Sequence, residues 1–545
     1  MDKKKLKSCE ISVKRALANK FISMEDYYNG LPLLKEVVKE SKDKDDIKNF
    51  ISISLRYAAK LSDNKSWLEV ANIYKDIMIY NEVPDKLYRS LGLCMSALKA
   101  HREAIDCFKI YEELHPDDNE ICSFIGELAA NELQDYALAI EYYEKLLARG
   151  VDNFSINNML GHLYSKLYRD SHKEEQLKYF LKAYKFDPEN RVVINNLAYT
   201  YGKFQDIKEA DEFYAKLLQM NPMHSEIHSY GAYLVKNKRF KAGFRLLRHR
   251  FYKEDLTGAA FGNITKNMNK VWKVGERLED KRVLIHYEQG FGDSIMFARF
   301  IKDLQGRCKS LEIVLQEGLI DLFKDSGFNM PIKTLEELNM DDYDIIIPMM
   351  DLAVVFGLKA DFIPYSKGYL QVPEEKVKEY RKNHIKRSKR FKVGFAFEGS
   401  PVSLVTKRDI PLKEFYDLMN MKNIDLYCFQ VGDIFKQLDK VPKGYKFTKL
   451  GDTFKTWEDT ACAMKSMDLI ITSDNGVMNL AGALGVKTFG IFNSLTEWRW
   501  IETKGDNVVW YDSVKPYQCP STDDWHSVMQ EVTKEVEKLA NAEEK

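Results

Sequence analysis

Two stretches of this chain hold residue types from which a phosphate-handling site can be built. From Ser466 to Trp500 it reads Ser-Met-Asp-Leu-Ile-Ile-Thr-Ser-Asp-Asn-Gly-Val-Met-Asn-Leu-Ala-Gly-Ala-Leu-Gly and on to Glu497-Trp498-Arg499-Trp500. Asp468 to Ser473 is an apolar run with no polar face, the mark of a strand buried on both sides in a parallel sheet. Asp474-Asn475-Gly476 breaks the run, and Val477 to Leu484 has the small and straight-chain residues of a tightly packed helix. Asp474 or Asn475 is its N-cap, and Gly485 ends it before a second buried strand, Thr488 to Phe492. N–H groups at the start of such a helix suit an anion, above all a phosphate. The same turn also occurs simply as a cap, so both readings stand at this point.

The second stretch begins with an apolar strand, Arg282 to Tyr287, followed by Glu288-Gln289-Gly290-Phe291-Gly292-Asp293-Ser294 and a helical pattern, Ile295 to Leu304. Gly290 and Gly292 permit a tight turn and close approach of a ligand to the backbone. Asp293 either faces that ligand or caps the helix, and Glu288 is either a second carboxylate of the site or buried for structure.

The elements that must position these loops are legible from the same apolar runs. Leu311 to Leu315, Asp344 to Pro348, Phe391 to Phe397 and Asp425 to Gln430 are further buried strands, separated by helical segments. This alternation predicts doubly wound parallel sheets, two in tandem, divided near the charged run Pro373 to Arg390. Ligands of such sheets lie at the carboxyl ends of the strands.

The front half has a different rhythm. Gly92, Gly126, Gly161 and Ala198 follow one another at 34, 35 and 37 residues. Each has a large residue before it, an Ala or similar about a dozen residues on, and an aromatic after that. Leu91-Gly92, Ala104, Phe108 and Pro116 form the cleanest copy. Ile125-Gly126, Ala139 and Tyr143; Leu160-Gly161, Leu177 and Pro188; and Leu197-Ala198, Ala210, Tyr214 and Pro222 follow. Ala58, Val70 and Tyr74 fit an earlier copy, and Tyr230-Gly231-Ala232 a later one. The pattern resembles tetratricopeptide repeats, antiparallel helix pairs that stack into a superhelix with a concave, peptide-binding groove. Asn157-Asn158 and Asn195-Asn196 fall near groove-lining positions, or else on solvated polar faces. The basic segment from Lys241 ends the array, and Trp272 is expected to pack where the two halves meet.

Composition narrows the function classes. With 82 basic and 82 acidic residues the net charge is +0, so no global pull toward nucleic acid or an anionic membrane exists. A local stripe such as Lys382 to Lys392 could still act otherwise. No apolar run reaches membrane-spanning length, the N-terminus lacks the apolar core of a secretory signal, and the eight cysteines form no CxxC pair. A reducing cytoplasm and no metal site are the expectation.

The two chemistry-bearing stretches also carry a resemblance. His286 to Arg299, with Glu288-Gln289-Gly290-Phe291-Gly292-Asp293, is similar to the Glu-Gln-Gly-x-Gly-Asp segment of bacterial tetratricopeptide-repeat glycosyltransferases, relatives of the heptosyltransferases (glycosyltransferase family 9). Asp468 to Asp474 with Leu480 to Gly485 and Trp498-Arg499-Trp500 resembles their nucleotide-binding segment. Thr406-Lys407-Arg408-Asp409-Ile410-Pro411 before Phe415 resembles the basic entry to their donor domain. The implied architecture is a helical lead-in (1–45), a repeat array (46–252), a linker (253–280), a GT-B acceptor-side sheet domain (281–375), a nucleotide-sugar donor domain (391–520) and a C-terminal helix (521–545).

The implied function is an inverting glycosyltransferase that needs no metal or other cofactor. Asp293 would be the base for the acceptor hydroxyl. Lys407, Arg408 and the backbone of Asn475, Gly476 and Val477 would hold the diphosphate. Gly399, Ser400 and Gln430, with Asp474 and Asn479, would contact the nucleotide or sugar. Glu288, Gln289, Gly290 and Gly292 would line the acceptor side. The expected partners are a nucleotide-sugar and a protein, glycan or other large acceptor read by the repeats, through which the chain could also self-associate. One departure stands out: relatives show Asp-Thr/Ser-x-x-x-His where this chain has Asp474 to Asn479. Asn479 carries neither a proton nor a charge to the leaving phosphates. A non-catalytic scaffold with a degenerate nucleotide-sugar site is therefore the rival reading.

Overall fold

A computed structural model describes residues 3–80, 84–253, 258–399, 408–500, 502–503 and 505–543. It divides into two compact units, Met1–Val193 and Ile194–Lys545.

The first unit is built from antiparallel helix pairs: Lys3–Ser23 with Tyr27–Ser41, Lys44–Asp63 with Trp67–Ile77, Lys86–Ala97 with His101–Leu114, Asn119–Asn131 with Tyr136–Ala148, and Phe154–Tyr168 with Lys173–Phe186. The expected lead-in is itself the first of these pairs. The small/aromatic spacing has a direct cause. A Cβ added at Gly92 would stand 2.4 Å from the Phe108 ring, and one at Gly126 3.0 Å from Tyr143. At Gly161 the partner is Phe180, 2.6 Å away, so the aromatic lies four residues after Gln176 rather than after Leu177. Gln176 is fully buried, and its amide donates to the carbonyls of Arg169 and Ser171 in the turn.

The turns explain that exception. Glu25, Lys65, Lys99 and Gln134 each lie two residues before a second helix with φ between 53° and 61°. In the fifth pair the left-handed residues are Arg169 and His172, and Gln176 ties the altered turn together. Asn157 does not face a groove: it is fully buried and donates to Asp152 and the Asn153 carbonyl, fixing the start of its helix.

Helix pairing resumes in the second unit, where His224–Lys236 packs on Phe240–Leu247 with Gly231 and Gly243 at the closest approach. The segment that looked merely basic has an apolar stripe, Phe240, Phe244 and Leu247, one helical face. Phe240 stacks on Trp510 at 5.6 Å, and Phe244 meets Phe297 and Trp498 edge-on. This last pair therefore shares a core with the sheets that follow. The expected linker contains a helix, Ala259–Lys266. Trp272 is buried in this unit's core, where its backbone N–H donates to the Ile346 carbonyl and its indole N–H to the Glu276 carbonyl.

Two parallel sheets follow. The first has strands β1 (Arg282–His286), β2 (Ser310–Val314), β3 (Ile332–Lys333) and β4 (Ile345–Pro348) in the order β3-β2-β1-β4. The second contains β5 (Phe391–Ala396), β6 (Ile424–Cys428), β7 (Thr448–Lys449), β8 (Leu469–Ser473) and β9 (Thr488–Phe492). After a separate hairpin, β10 (Glu502–Thr503) and β11 (Gly505–Val508), it gains β12 (Val514–Gln518) and has the order β12-β9-β8-β5-β6-β7. Helix Glu374–His384 joins the two sheets, its charged run broken by buried Val377 and Tyr380. Helix Trp525–Glu543 covers the second sheet with Trp525, Val528, Met529, Val532 and Val536. The expected class holds: an array of tetratricopeptide-type helix pairs followed by two doubly wound parallel-sheet domains.

Candidate functional site

Strand order fixes where a ligand can lie. The first sheet grows from β1 to β2 and β3, then restarts on the other side of β1 with β4. The second grows from β5 to β6 and β7, then restarts beside β5 with β8. Crevices open at the carboxyl ends on either side of such reversals, here after β1 and after β5 and β8. The loops after β1 and β8 touch: a Cβ on Gly292 would lie 2.9 Å from Asn479 Nδ2 and 3.7 Å from Gly476 Cα. Trp457 wedges beside them, its ring against Gly476 and 5.3 Å from the Phe291 ring.

Asp293 lies in the first turn of helix Phe291–Phe297, whose N-cap is Gly290. Its carboxylate does not cap the helix. It accepts from Arg499 Nε at 2.8 Å and Nη2 at 3.1 Å, a bidentate pair between groups 206 residues apart. Arg499 Nη1 donates to Glu497 at 2.7 Å, and the guanidinium is 16% exposed. Arg408 stands on the other side of Glu497, 3.9 Å away, and 3.6 Å from Asp474. Arg408, Asp474 and Glu497 line a small cavity of about 10 Å³ together with Phe492, Asn493 and Thr496. Burial pushes the Asp474 carboxyl up to about 6, against the pull of Arg408. The Arg499 guanidinium is held charged by Asp293 and Glu497 despite its burial.

Asn475, not Asp474, caps helix Gly476–Ala483, accepting from the N–H groups of Val477 at 2.9 Å and Met478 at 3.2 Å. Its Nδ2 donates to the Glu398 carbonyl at 3.3 Å, tying the ends of β8 and β5 together. Gly399 sits against Asn475, where a Cβ would meet it at 3.3 Å, and its N–H donates to Asp409. Asn479 is buried and receives the Tyr511 hydroxyl at 3.0 Å.

Other expected site residues have their polar groups engaged elsewhere. Gln430 accepts from the N–H groups of Phe397 and Glu398 and donates back to the Glu398 carbonyl, so its amide shapes the end of β5. Glu288 is buried, bound by Arg250 at 2.6 and 2.9 Å and by the Met350 N–H at 3.0 Å. That network includes Asp351, which also accepts from Arg248. Gln289 lends its carbonyl to Gln316. Gly290 is exposed, with φ −67° and open space around it. Ser400 and Lys407 lie outside the described residues.

Sequence reasoning left Arg499, Glu497, Trp457, Asp409, Arg250 and Asp351 without roles. Only the first two had a local signal, as charges inside Glu497-Trp498-Arg499-Trp500. Among the described residues no group of three or more His, Cys, Asp or Glu is placed to hold a metal ion, and no helix is long and apolar enough to cross a membrane.

Comparison with known proteins matches residues 193–224 to the tetratricopeptide repeat family. Protein FlbA of Caulobacter vibrioides is 22% identical over 506 residues, covering 81% of this chain and 83% of that protein. Similar solved structures include the ADP-heptose LPS heptosyltransferase II of E. coli, 13% identical with a TM-score of 0.38, covering 48% of this chain and 100% of that one. MamA of Desulfovibrio magneticus is 18% identical with a TM-score of 0.27, covering 31% of this chain and 94% of that one. The chain carries a tetratricopeptide repeat at residues 193–224, and its C-terminal part carries two doubly wound parallel sheets whose following loops are joined through Asp293, after β1, and Arg499, after β9.

Proposed function

We propose that the second unit is a glycosyltransferase that moves a sugar from a nucleotide-sugar to an acceptor hydroxyl with inversion. The observation that carries this reading is the ion pair of Asp293, after β1 of the first sheet, with Arg499 of the second sheet domain, which shares Glu497 with Arg408, beside the approach of Gly292 to Gly476 at the helix start. A carboxylate and a cationic cradle on opposite walls of one crevice are what the reaction requires. The acceptor oxygen forms a bond to the anomeric carbon while the bond from that carbon to the diphosphate oxygen breaks. The hydroxyl proton passes to Asp293, and the nucleoside diphosphate departs with the bonding electron pair. Attack opposite the leaving group inverts the anomeric centre. Arg408 and Arg499 supply the compensating positive charge, with the dipole of helix Gly476–Ala483 behind them, its Val477 and Met478 N–H groups being taken by Asn475, so the reading includes no metal.

The repeats are the natural reader of a large acceptor, a protein or a glycan, because such arrays present extended surfaces. Asn479 favours one second reading. Its neutral amide is engaged with Tyr511 and offers no proton to the phosphates, so a scaffold that binds the nucleotide-sugar without turnover is the rival.

A thermal-shift screen of purified protein against nucleotide-sugars, with mass spectrometry of the incubated donor, separates them. The enzyme reading predicts a stabilising donor that wild type slowly hydrolyses and Asp293→Ala binds but leaves intact. Binding with no loss of donor in any acceptor mixture favours the scaffold, and no stabilising nucleotide-sugar at all contradicts both.

A further inference from the structure

Among the described residues of the second unit, Arg250 and Arg299 are buried and Arg499 is 16% exposed, and their partners are not alike. Arg250 is enclosed by Glu288, Asp351 and the Leu247 carbonyl, all holding it for structure. Arg299 donates to the carbonyls of Met296, Pro364 and Trp510 and lies over the Tyr369 and Tyr511 rings. Arg499 alone has two carboxylate partners standing on different walls of the crevice, and one of them, Glu497, lines the cavity. Its neighbour Arg408 is 25% exposed, and its contacts at 3.6 and 3.9 Å exceed hydrogen-bonding distance. Arg408 thus lines the cavity itself, and Arg499 stands behind Glu497, which it shares with Arg408.

We propose that Arg499 is a diphosphate-binding residue, and that the donor's diphosphate takes the place of the Asp293 carboxylate on its guanidinium. This inference rests on the glycosyltransferase reading and adds an order to it: donor binding frees Asp293. While Asp293 holds Arg499, each carboxylate oxygen accepts from the guanidinium, and the group is aimed at Arg499 rather than at an acceptor hydroxyl. A diphosphate presents the same planar pair of oxygens to the same fork of N–H donors, with more charge. The exchange therefore keeps Arg499 paired while turning Asp293 toward the acceptor. Arg499 would also supply the charge that Asn479 cannot. Asp474 beside it is the carboxylate most readily neutralised when an anion arrives, since burial already disfavours its charge.

Inorganic pyrophosphate is the probe, titrated calorimetrically into wild type, Arg499→Gln, Arg499→Lys and Asp293→Asn at fixed ionic strength. Arg499→Gln should weaken binding roughly thirtyfold, and Arg499→Lys, which keeps the charge and loses the fork, about fivefold to tenfold. Asp293→Asn should tighten binding about tenfold, because the competing carboxylate is gone. A merely structural pair would produce no such gain, and this variant decides the matter if Arg499→Gln does not fold. Unchanged affinity in a folded Arg499→Gln, or equal or weaker binding by Asp293→Asn, overturns the exchange and leaves the glycosyltransferase reading standing. If wild type binds neither pyrophosphate nor any nucleoside diphosphate, both fall together.

Discussion

Replacing Arg250 by Met tests how the loop after β1 is held in place. Arg250 is 1% exposed and makes three hydrogen bonds of 2.6 to 2.9 Å with Glu288 and Asp351. Removing one partner of such a buried pair costs about 3–5 kcal/mol, because the other charge stays buried without compensation. Asp351 keeps Arg248 at 2.8 Å, so the uncompensated charge is that of Glu288. Burial already pushes the Glu288 carboxyl up, and Arg250 is the largest opposing influence. Without Arg250 the folded protein holds a Glu288 proton that the unfolded chain releases. Stability of the variant is then present at low pH and lost as pH rises through the raised folded value. Six of the seven tryptophans lie in residues 194–545, so urea unfolding followed by tryptophan fluorescence reports this unit. Arg250→Met should lose the full amount at pH 8 and about 1–2 kcal/mol less at pH 5.5. Adding Glu288→Met should recover most of the loss, since an apolar pair of similar volume replaces the ion pair. A loss below about 1 kcal/mol at pH 8, or no recovery in the double variant, refutes this account.

Gly92→Ala forces a Cβ to within 2.4 Å of the packed Phe108 ring and should destabilise by about 1–3 kcal/mol in circular-dichroism melts. Gly262→Ala, in helix Ala259–Lys266 with nothing within 4 Å, should stabilise by about 0.5–1 kcal/mol. Asp474, raised from 3.8 to about 6, lends stability below its unfolded value that is lost as pH rises through 6. That loss is about 3 kcal/mol. Asp474→Asn should flatten stability measured between pH 4 and 7 relative to wild type. His286 titrates the other way: fully buried and lowered from 6.5 to about 4, it loses stability as pH falls between those values. His286→Gln should remove that acid-side loss, and unfolding midpoints that move with pH as in wild type would contradict either assignment.

Much of the fold was legible because its strands are continuous apolar runs. β4, β8 and β9 are buried residue after residue, β1 and β5 are so but for Arg282 and Lys392, and no amphipathic alternative competes. The strands that escaped notice lack that signature. β3 and β7 are two residues long, and β12 carries Lys515 and Pro516, tolerated because it is an edge strand. The repeats were visible through Gly92 and Gly126, and misaligned at Leu177 because a buried amide, Gln176, stands where a small residue was expected. Within the candidate site the loops were legible and the pairings were not. Asn475 follows from local capping chemistry, whereas Arg499, after β9, meets Asp293, after β1, only because the carboxyl ends of the two sheets come together. Glu288 looked like a site carboxylate for want of any sign that Arg250 would bury itself beside it.

The central claim is that this crevice breaks a sugar–diphosphate bond with Asp293 as base. A ³¹P NMR time course of wild type with the donor found by the binding screen tests it most directly, alongside Asp293→Asn. The account predicts conversion of the donor's diphosphodiester signals to those of the free nucleoside diphosphate by wild type, and saturable binding without conversion by Asp293→Asn. Conversion at equal rates by the two proteins, or none by wild type with acceptor present, would contradict it.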